Sequence, residues 1–374
     1  MKFLTSSTTL ANKLSTMAKV MSTKAVRPIL SSFLFELDGE ILRITASDGE
    51  SIHNSTLAVA NIEGTGKICV PADRLLDALK NLPEQPIDFT INETTFEVNI
   101  KYNNGKYDFV ANSADEYTIP SSLNNIETQV QFEASTLNMA ITQSLFAVAN
   151  DDLRPIMNGI YFTTADGVFQ CAASDGQKLV RNTYKLENPV ENLNFVLPSK
   201  AAILIKNITN KTTAPVTITH NGREAIFIFE NDIFRCRLLE GKYPNYNAVI
   251  PEDNPNKATI ERKSLLSTIN RVGLFSSAAN GSIEMNFSGV SIDVSGKDID
   301  YSTSAKETLF CSYSGTNLRI GFKYELLKQI LENATSKEIT FSMGDCSKAV
   351  IIKPVGEDDK IDNLSLLVPM MLDA

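Results

Sequence analysis

The chain has 374 residues, with 44 acidic and 35 basic side chains, and its formal net charge is −9. Hydrophobic residues make up 43% of the chain and charged residues 21%, as in ordinary globular proteins. This length predicts about two to four domains. There is no run of about 20 apolar residues, so we expect no membrane-spanning helix. The first residues, with a single lysine, do not resemble a secretory signal.

The number and spacing of the cysteines and histidines indicate the redox compartment of the protein and argue against a metal site. The five cysteines are scattered, odd in number and form no CxxC pair, which predicts a reduced, cytoplasmic chain. There are only two histidines, His53 and His220, and neither lies in a recognisable motif. Zinc sites and most acid–base catalysis depend on histidine, so we predict no metal site and no cofactor.

Read along its length, the chain repeats itself. Arg27-Pro28-Ile29 recurs as Arg154-Pro155-Ile156, and Ser47-Asp48-Gly49 recurs as Ser174-Asp175-Gly176. The spacing from the arginine to the aspartate is 21 residues in both copies. Chance rarely preserves two tripeptides at one spacing, so this pattern indicates duplication. A third, more diverged copy follows.

The predicted elements occur in the same order in each copy. A short strand is followed by an amphipathic helix, then by strands around an Asp-Gly or Ser-Gly turn, then by a second helix and further strands. The apolar stripes of the first helices are Leu10, Leu14, Met17 and Met21, then Leu137, Ile141, Leu145 and Val148, then Leu265, Ile269 and Val272. The turns are Asp38-Gly39, Asp166-Gly167 and Ser288-Gly289, and the second helices are predicted at 71–79, 198–205 and 322–330.

Two helices and about eight strands per copy predict an α+β fold, with helices packed on antiparallel sheets. The prolines Pro71 and Pro198 suit the first turn of their helices. We place the three domains at residues 1–125, 126–253 and 254–374. The second boundary is polar and contains prolines, which is typical of linkers.

Positive charge is concentrated around the predicted helices. Residues 1–35, 192–223 and 262–283 contain basic residues and no acidic ones, although the chain as a whole is acidic. This pattern favours a surface that meets nucleic-acid phosphates without reading bases. The alternative is that these lysines only solubilise the outer faces of the helices. The helix at 71–82 has balanced charges and the one at 135–149 has none, so both fit the nucleic-acid interpretation less well.

None of the candidate catalytic motifs in the sequence matches its consensus. The segment from Glu63 to Lys67 resembles a phosphate-binding loop, but Asn61 occupies the position of the required first glycine and Ile68 that of the Ser or Thr. The Asp151-Asp152 pair is better interpreted as a loop than as a metal site. We therefore predict a non-enzymatic protein.

Several motifs, in order along the whole chain, together resemble one family. They are Met1-Lys2-Phe3, Pro28-Ile29-Leu30, Asn158-Gly159, Ser174-Asp175-Gly176, Tyr243-Pro244-Asn245-Tyr246 with Ile250-Pro251, and Val368-Pro369-Met370-Met371-Leu372. They resemble the bacterial DNA polymerase III beta subunit, the DNA sliding clamp. The resemblance implies a head-to-tail homodimer whose six domains form a ring around duplex DNA. Such a ring is a processivity factor in DNA replication, and it tethers the replicative polymerase, the clamp loader and other clamp-binding-motif proteins.

The resemblance also implies DNA-binding residues. Lys24 and Lys200 occupy positions where the family has basic DNA contacts, whereas Asp73 occupies such a position and Arg74 lies one place beyond it. The remaining candidates come from their positions on or near helices. They are Lys13, Lys19, Arg27, Arg154, Lys206 and Arg271.

The family binds short peptides in a pocket, and it dimerises through apolar residues. The pocket here is predicted to comprise Met157, Ser174, Gly176, Gln177, Lys178, Leu179, Pro244, Val249, Leu367, Val368, Pro369, Met370, Met371 and Leu372. Gln177-Lys178 replaces a frequent His-Arg pair, and Met371 replaces a basic residue, so we expect an altered polar preference. The predicted dimer contacts are Phe109, Leu274 and Phe275.

Two other functions remain open on sequence alone. One is a repeat scaffold that binds only proteins, in which the lysines play no part in binding. The other is an enzyme whose site is assembled across repeats, which the scarcity of histidine disfavours.

Overall fold

The structure is a computed structural model that describes residues 1–21, 27–118, 128–186 and 193–372. Its described part contains two α-helices in each of the three predicted repeats. They are α1 (Ser7–Met17), α2 (Ala72–Lys80), α3 (Ala134–Leu145), α4 (Ser199–Thr209), α5 (Arg262–Val272) and α6 (Tyr324–Asn333). Among the described residues, no helix is long and apolar enough to cross a membrane.

Every strand pair in the described ranges is antiparallel, which confirms the predicted α+β class. The strands of the first repeat are β1 (Lys2–Ser6), β2 (Ser32–Asp38), β3 (Ile41–Ser47), β4 (Ser51–Ala58), β5 (Ala60–Glu63), β6 (Gly66–Pro71), β7 (Pro86–Ile91), β8 (Glu97–Tyr102) and β9 (Gly105–Val110). Those of the second are β10 (Thr128–Phe132), β11 (Gly159–Ala165), β12 (Val168–Ser174), β13 (Lys178–Lys185), β14 (Asn194–Pro198), β15 (Val216–His220), β16 (Glu224–Ile228) and β17 (Asp232–Arg237). Those of the third are β18 (Asn256–Glu261), β19 (Ser282–Ser288), β20 (Ser291–Asp298), β21 (Thr303–Phe310), β22 (Ser312–Ser314), β23 (Leu318–Lys323), β24 (Glu338–Met343), β25 (Val350–Pro354) and β26 (Ile361–Leu367).

The helices form where the apolar stripes predict them, but some boundaries differ. In α1 the stripe is buried as far as Met17, whereas Met21 lies beyond the end of the helix. The Ser6 hydroxyl caps α1 by accepting a hydrogen bond from the Thr9 N–H at 3.1 Å. Pro71 and Pro198 each end a strand, so the prediction that they lie in the first helical turn was wrong by one residue.

Contacts between residues divide the chain into two compact units, of which the first comprises Met1–Asn138 and Ile203–Leu238. This unit contains a five-stranded sheet, in the order β5-β1-β7-β8-β9, and an eight-stranded sheet, in the order β10-β15-β16-β17-β4-β3-β2-β6. Its main core is formed by the apolar stripes of α1 and α2 and by inward-facing residues of both sheets. Within this core the ring of Phe3 stacks on the ring of Phe89, with 4.8 Å between the ring centroids.

The eight-stranded sheet explains why three repeats give only two compact units. Strand β17 of the second repeat pairs with β4 of the first, so one sheet continues through both repeats. A buried hydrogen bond at this junction joins His53 Nε2 to Asp232 Oδ1 at 2.8 Å. Burial alone would raise the pKa of Asp232, but its hydrogen bonds with His53 and Ser55 outweigh this effect and lower the pKa.

The second unit comprises Met139–Ala202 and Leu239–Ala374. Its nine-stranded sheet has the order β14-β11-β12-β13-β26-β25-β24-β18-β22, and its four-stranded sheet has the order β21-β20-β19-β23. Strand β13 of the second repeat pairs with β26 of the third from Lys178 to Tyr184. The second repeat therefore contributes four strands to a shared sheet in each unit.

The repeated Ser-Asp-Gly tripeptide forms the same turn twice. In the first copy the Ser47 hydroxyl donates to the carbonyl of Ser51 at 2.9 Å, and Asp48 Oδ1 accepts the Ser51 N–H at 2.7 Å. In the second copy Ser174 donates to the Lys178 carbonyl at 2.8 Å, and Asp175 Oδ1 accepts the Lys178 N–H at 2.8 Å. The glycines have φ angles of 97° and 90°, a region in which only glycine is comfortable. The tripeptide is therefore conserved between copies because the backbone of this turn requires it.

Candidate functional site

The basic residues around α1 differ in their contacts with other groups of the protein. Lys13 Nζ donates to Ser55 Oγ at 2.6 Å and to the Thr56 carbonyl at 2.9 Å. These acceptors are uncharged and fix the position of the ammonium, and the carboxylate of Asp232 is near enough to interact with its charge. Lys19 is exposed in the turn that follows α1. Lys24 lies outside the described residues.

The arginine of the first repeated tripeptide is also exposed. Arg27 Nη1 donates to the Thr118 hydroxyl at 2.6 Å, again a neutral partner. A guanidinium bound to neutral oxygens can still attract a phosphate, and no carboxylate of the described residues forms an ion pair with Arg27.

The candidates on α2 and α4 are also solvent-accessible. Arg74 is exposed beside Asp73, whose carboxylate accepts the Arg74 N–H at 2.8 Å in the first turn of α2. Lys200 is exposed in the first turn of α4, and Lys206 is half-buried near its end. A basic side chain near the C-terminal end of a helix is favoured by the helix dipole. Lys206 therefore also stabilises α4.

Arg271 on α5 is paired with a carboxylate. Its Nε and Nη2 donate to the two carboxylate oxygens of Glu307 on β21, at 2.7 and 2.6 Å. The hydrogen bond with Arg271 lowers the pKa of Glu307, so the pair is ionised at neutral pH. Glu307 therefore neutralises Arg271, and this arginine is poorly available to a phosphate.

The predicted peptide pocket lies within the second unit, and the structure brings Arg154 to it. The guanidinium lies over Gly176, where a Cβ would approach its Nη1 at 3.6 Å. Asp151 holds this side chain, with 2.8 Å between Arg154 Nε and Asp151 Oδ2. The hydrogen bond with Arg154 lowers the pKa of Asp151. Arg154 thus lies beside a predicted pocket residue, and its contact with DNA stays a prediction.

Lys178 is buried. On sequence alone this lysine, in place of the arginine that is frequent in the family that the sequence resembles, is predicted to alter the polar preference of the pocket. Its side chain is 5% exposed, and Nζ donates to Asp175 Oδ2 at 2.6 Å. Its charge is therefore compensated inside the protein, because a buried ammonium requires a partner. Gln177 is exposed at the same turn and provides a polar group at the pocket rim.

The C-terminal segment lies against the same region. The Val368 N–H donates to the Gln177 carbonyl at 2.9 Å, and the Met370 N–H donates to the Gly321 carbonyl at 2.8 Å. A Cβ on Gly321 would come within 2.7 Å of Leu372, so the segment packs closely on β23. These contacts place predicted pocket residues from 174–179 and 368–372 beside one another.

The apolar residues predicted for the pocket differ in exposure, and Pro369, Met370 and Leu372 are half-buried, as is Ser174. Met157, Leu179 and Leu367 are buried and form part of the apolar interior. The exposed set consists of Pro244, Val249, Val368 and Met371. Such apolar side chains at the surface are suited to Leu or Phe anchors of a peptide.

Tyr243 was predicted only as part of a family motif and not as a pocket residue, and its ring stacks on that of Tyr161 with 5.1 Å between the centroids. It directly precedes Pro244, and the Tyr-Pro pair was the available signal. Asp151 was interpreted as a loop residue, and its Oδ1 indeed accepts the Leu153 N–H at 2.8 Å. Its partner Arg154, three residues further along, was the missed signal.

The candidate dimer residues lie near strands at sheet edges. Phe109 is half-buried on β9, the last strand of the five-stranded sheet. Leu274 and Phe275 are exposed in a short 3₁₀ helix, Gly273–Phe275, that directly follows α5. Exposed apolar side chains beside an unpaired strand edge are suited to association with another chain.

Family models of the DNA polymerase III beta subunit match three consecutive spans of this chain. The N-terminal domain model matches residues 1–121, the central domain model 131–245 and the C-terminal domain model 247–369. The chain belongs to the DNA polymerase III beta subunit family. Within this family the function is a non-catalytic one.

Individual members of the beta subunit family are distant relatives in sequence. The beta sliding clamp of Staphylococcus epidermidis is 24% identical over 363 residues, which cover 95% of this chain and 96% of that protein. The clamp of Staphylococcus aureus is 24% identical over 348 residues, covering 91% and 92%.

Solved structures of the family have the same fold. A DNA polymerase sliding clamp from Pseudomonas aeruginosa superposes with a TM-score of 0.92 at 22% identity, covering 100% of both chains. The DNA polymerase III beta subunit from Thermotoga maritima gives 0.91 at 23% identity, also covering 100% of both. At this level of identity the fold is retained although about three quarters of the residues differ.

Proposed function

We propose that this chain is a DNA sliding clamp, a ring-shaped processivity factor that encircles duplex DNA and tethers the replicative polymerase. The observation that carries the proposal is the match of three beta subunit domains in the family's order along nearly the whole chain. We keep the domain limits 1–125, 126–253 and 254–374, although the family match to the third domain begins at residue 247. The protein would act in the cytoplasm.

The DNA contact would be electrostatic and independent of sequence. Lys13 and Arg27 support this proposal, because uncharged oxygen atoms position both side chains, whose charge suits phosphates. Lys19, Arg74, Lys200 and Lys206 would add weaker contacts, and Lys24 keeps the role that the resemblance implies. A closed ring would hold DNA topologically, so individual contacts can remain weak enough to permit sliding.

Partners would bind through a short linear peptide in the pocket of the second unit. The exposed Val368 and Met371 would provide the apolar surface that peptide anchors need, and the buried Met157 and Leu179 would support it from beneath. Arg154 and Gln177 would supply polar contacts at its rim. The polymerase, the clamp loader and other clamp-binding-motif proteins would compete for this one pocket.

The functional chain would be a head-to-tail homodimer, with Phe109 of one protomer near Leu274 and Phe275 of the partner subunit. Such a contact is heterologous, and it closes because two chains complete the rotation. Phe109, the outward-facing Leu274 and the edge position of β9 support this arrangement.

Retention on DNA tests the topological proposal. We expect the loaded protein to stay on closed circular duplex at high salt and to be lost when the same DNA is linearised. Equal loss from circular and linear DNA would contradict a ring. Sedimentation should give the mass of a dimer, and a stable monomer at micromolar concentration would also contradict the proposal.

The basic contacts can be tested separately. Reversing Lys24 and Lys200 to glutamate should weaken loading onto DNA several-fold, because each reversal replaces an attraction to phosphate by a repulsion. The matched control, with the same change in net charge, is Lys257→Glu combined with Lys297→Glu, at exposed lysines on β18 and β20 outside the candidate set. Similar losses in the two proteins would show that only total charge matters.

A further inference from the structure

A small cleft with a polar floor lies within the second unit, where the second repeat meets the third. Its walls come from α3 of the second repeat and from α6 and β24 to β26 of the third, and its volume is about 30 Å³. Half of its lining is apolar, and the other half is polar but uncharged. The polar residues are Gln143, Asn182, Asn333, Thr335, Asn363 and Ser365.

Two buried amides lie side by side at the floor of the cleft. Asn182 on β13 and Asn363 on β26 are direct partners in the strand pairing that joins the two repeats, and they are 3% and 7% exposed. Directly opposite residues of paired strands extend to the same face of the sheet, so the two amides are neighbours. Burying amides in this way costs free energy unless their polar atoms have hydrogen-bond partners.

Most of the partners that the two amides need are supplied by the protein. Asn182 Nδ2 donates to Ser144 Oγ at 3.0 Å, and Asn363 Nδ2 donates to Glu357 Oε1 at 2.6 Å. Glu357 does not line the cleft, so Oδ1 is the atom of the Asn363 amide that faces it. This oxygen is buried, and it accepts no hydrogen bond from any residue that the structure describes.

The cleft itself defines the ligand that would satisfy Asn363. The ligand must donate a hydrogen bond, because a carbonyl oxygen only accepts. It must be uncharged, since none of the lining side chains carries a charge. It must also be very small, because each water molecule requires about 10–15 Å³ of a space that measures about 30 Å³. Water meets all three conditions.

We propose that this cleft is a binding site for one or two ordered water molecules, one of which donates a hydrogen bond to Asn363 Oδ1. A buried water typically makes about three hydrogen bonds, so this one would also bond to polar side chains of the second repeat that line the cleft, such as Gln143. It would thereby bridge the two repeats and supply the hydrogen bond that the protein does not.

The bridge would also support the strand register on which the predicted peptide pocket depends. Strand β13 carries the pocket residue Leu179, and β26 ends with the pocket residue Leu367. Asn182 and Asn363 lie further along the same two strands, and no predicted pocket residue lines the cleft. The water site is therefore distinct from the pocket, although both lie on one strand pair.

A crystal structure of the full chain, at a resolution that shows ordered solvent, tests the site directly. We expect a water oxygen about 2.5–3.0 Å from Asn363 Oδ1, with a B-factor close to those of the surrounding side chains. A dry cleft would overturn the proposal, and so would a metal ion or a larger molecule in this position.

Filling the cleft provides an energetic test. Ala334 lines it and has an extended backbone, with φ −74° and ψ 140°, which a β-branched residue adopts readily. The added methyl groups of Ala334→Val should displace the water and leave Asn363 Oδ1 without a donor. We expect the urea midpoint of unfolding to fall by roughly 0.3–0.5 M.

The matched control is the same substitution in an Asn363→Leu background, which has no acceptor that needs the water. There Ala334→Val should leave the midpoint unchanged or raise it, because its methyl groups fill an apolar space. An equal fall in both backgrounds would trace the effect to the size of valine, and a rise in the wild-type background would indicate a dry cleft. Either result would overturn the water bridge.

Discussion

The two copies of the Ser-Asp-Gly turn, at residues 47–51 and 174–178, have the same backbone but different surroundings. Both aspartates accept two backbone N–H groups, and both glycines have φ near +90°. The first copy has Ser51 where the second has the buried Lys178. The comparison shows that the turn is a scaffold, and that the residues around it decide whether it also forms part of a binding site.

The arginines that precede the two turns differ in the same way. Arg27 bonds to the neutral Thr118, whereas Arg154 bonds to Asp151 and lies over Gly176. Matched substitutions in the two copies can therefore separate the contribution of the turn from that of the site.

The largest difference is expected at the aspartates. Asp175→Asn should cost about 3 kcal/mol of stability, because it leaves the buried Lys178 ammonium without its carboxylate. Asp48→Asn should cost less than about 1 kcal/mol, since the amide oxygen still accepts the Ser51 N–H. Urea unfolding followed by circular dichroism measures both values. In a Lys178→Ser background the cost of Asp175→Asn should fall to that of Asp48→Asn, and a cost that persists would remove the ion pair from the explanation.

The glycines should show equal strain but unequal effects on binding. Gly49→Ala and Gly176→Ala should each cost about 1–2 kcal/mol, because alanine is strained at their positive φ. Only Gly176→Ala should also weaken the binding of a fluorescent peptide with leucine and phenylalanine anchors, since its methyl group would contact the rim residue Arg154, whereas that of Gly49→Ala would contact Leu30. Equal loss of peptide affinity in both variants would mean that binding follows stability alone.

The arginines should separate the two functions. Arg154→Gln should lower peptide affinity roughly fivefold, in keeping with the loss of one exposed charged contact. Arg27→Gln should leave peptide affinity unchanged and weaken DNA binding instead. If Arg154→Gln affects only DNA binding, the residue belongs to the DNA surface.

The smallest expected effect is that of pH on the stability that the Arg154–Asp151 pair contributes. Because Arg154 lowers the pKa of Asp151, their pair stabilises the protein above the unfolded Asp pKa of about 3.9, and this contribution is lost as pH falls through the folded pKa. The difference in melting temperature between wild type and Arg154→Gln should therefore shrink between pH 7 and about pH 2.5. For Arg27→Gln the difference should be constant, since Thr118 does not titrate. A pH-dependent difference at Arg27 would indicate a carboxylate partner there.

Local patterns in the sequence were sufficient for the repeats, the six helices and the antiparallel α+β class. A stripe such as Leu10, Leu14 and Met17 determines which face of a helix is buried, and Asp166-Gly167 forms a tight turn because both residues have positive φ, at 51° and 75°. The number of helices and strands follows from such signals, since each depends only on near neighbours in the chain.

Only the tertiary structure decided which charges are available and which repeats share a sheet. Arg271 and Glu307 are far apart in sequence, so counting charges on α5 could not reveal that the arginine is neutralised. Lys178 is adjacent to Gln177 in the chain, yet Lys178 is buried and paired with Asp175, while Gln177 is exposed. Strand pairings such as β17 with β4 join residues about 180 positions apart, which no local pattern encodes because sheet hydrogen bonds form between backbones and not between particular residue types.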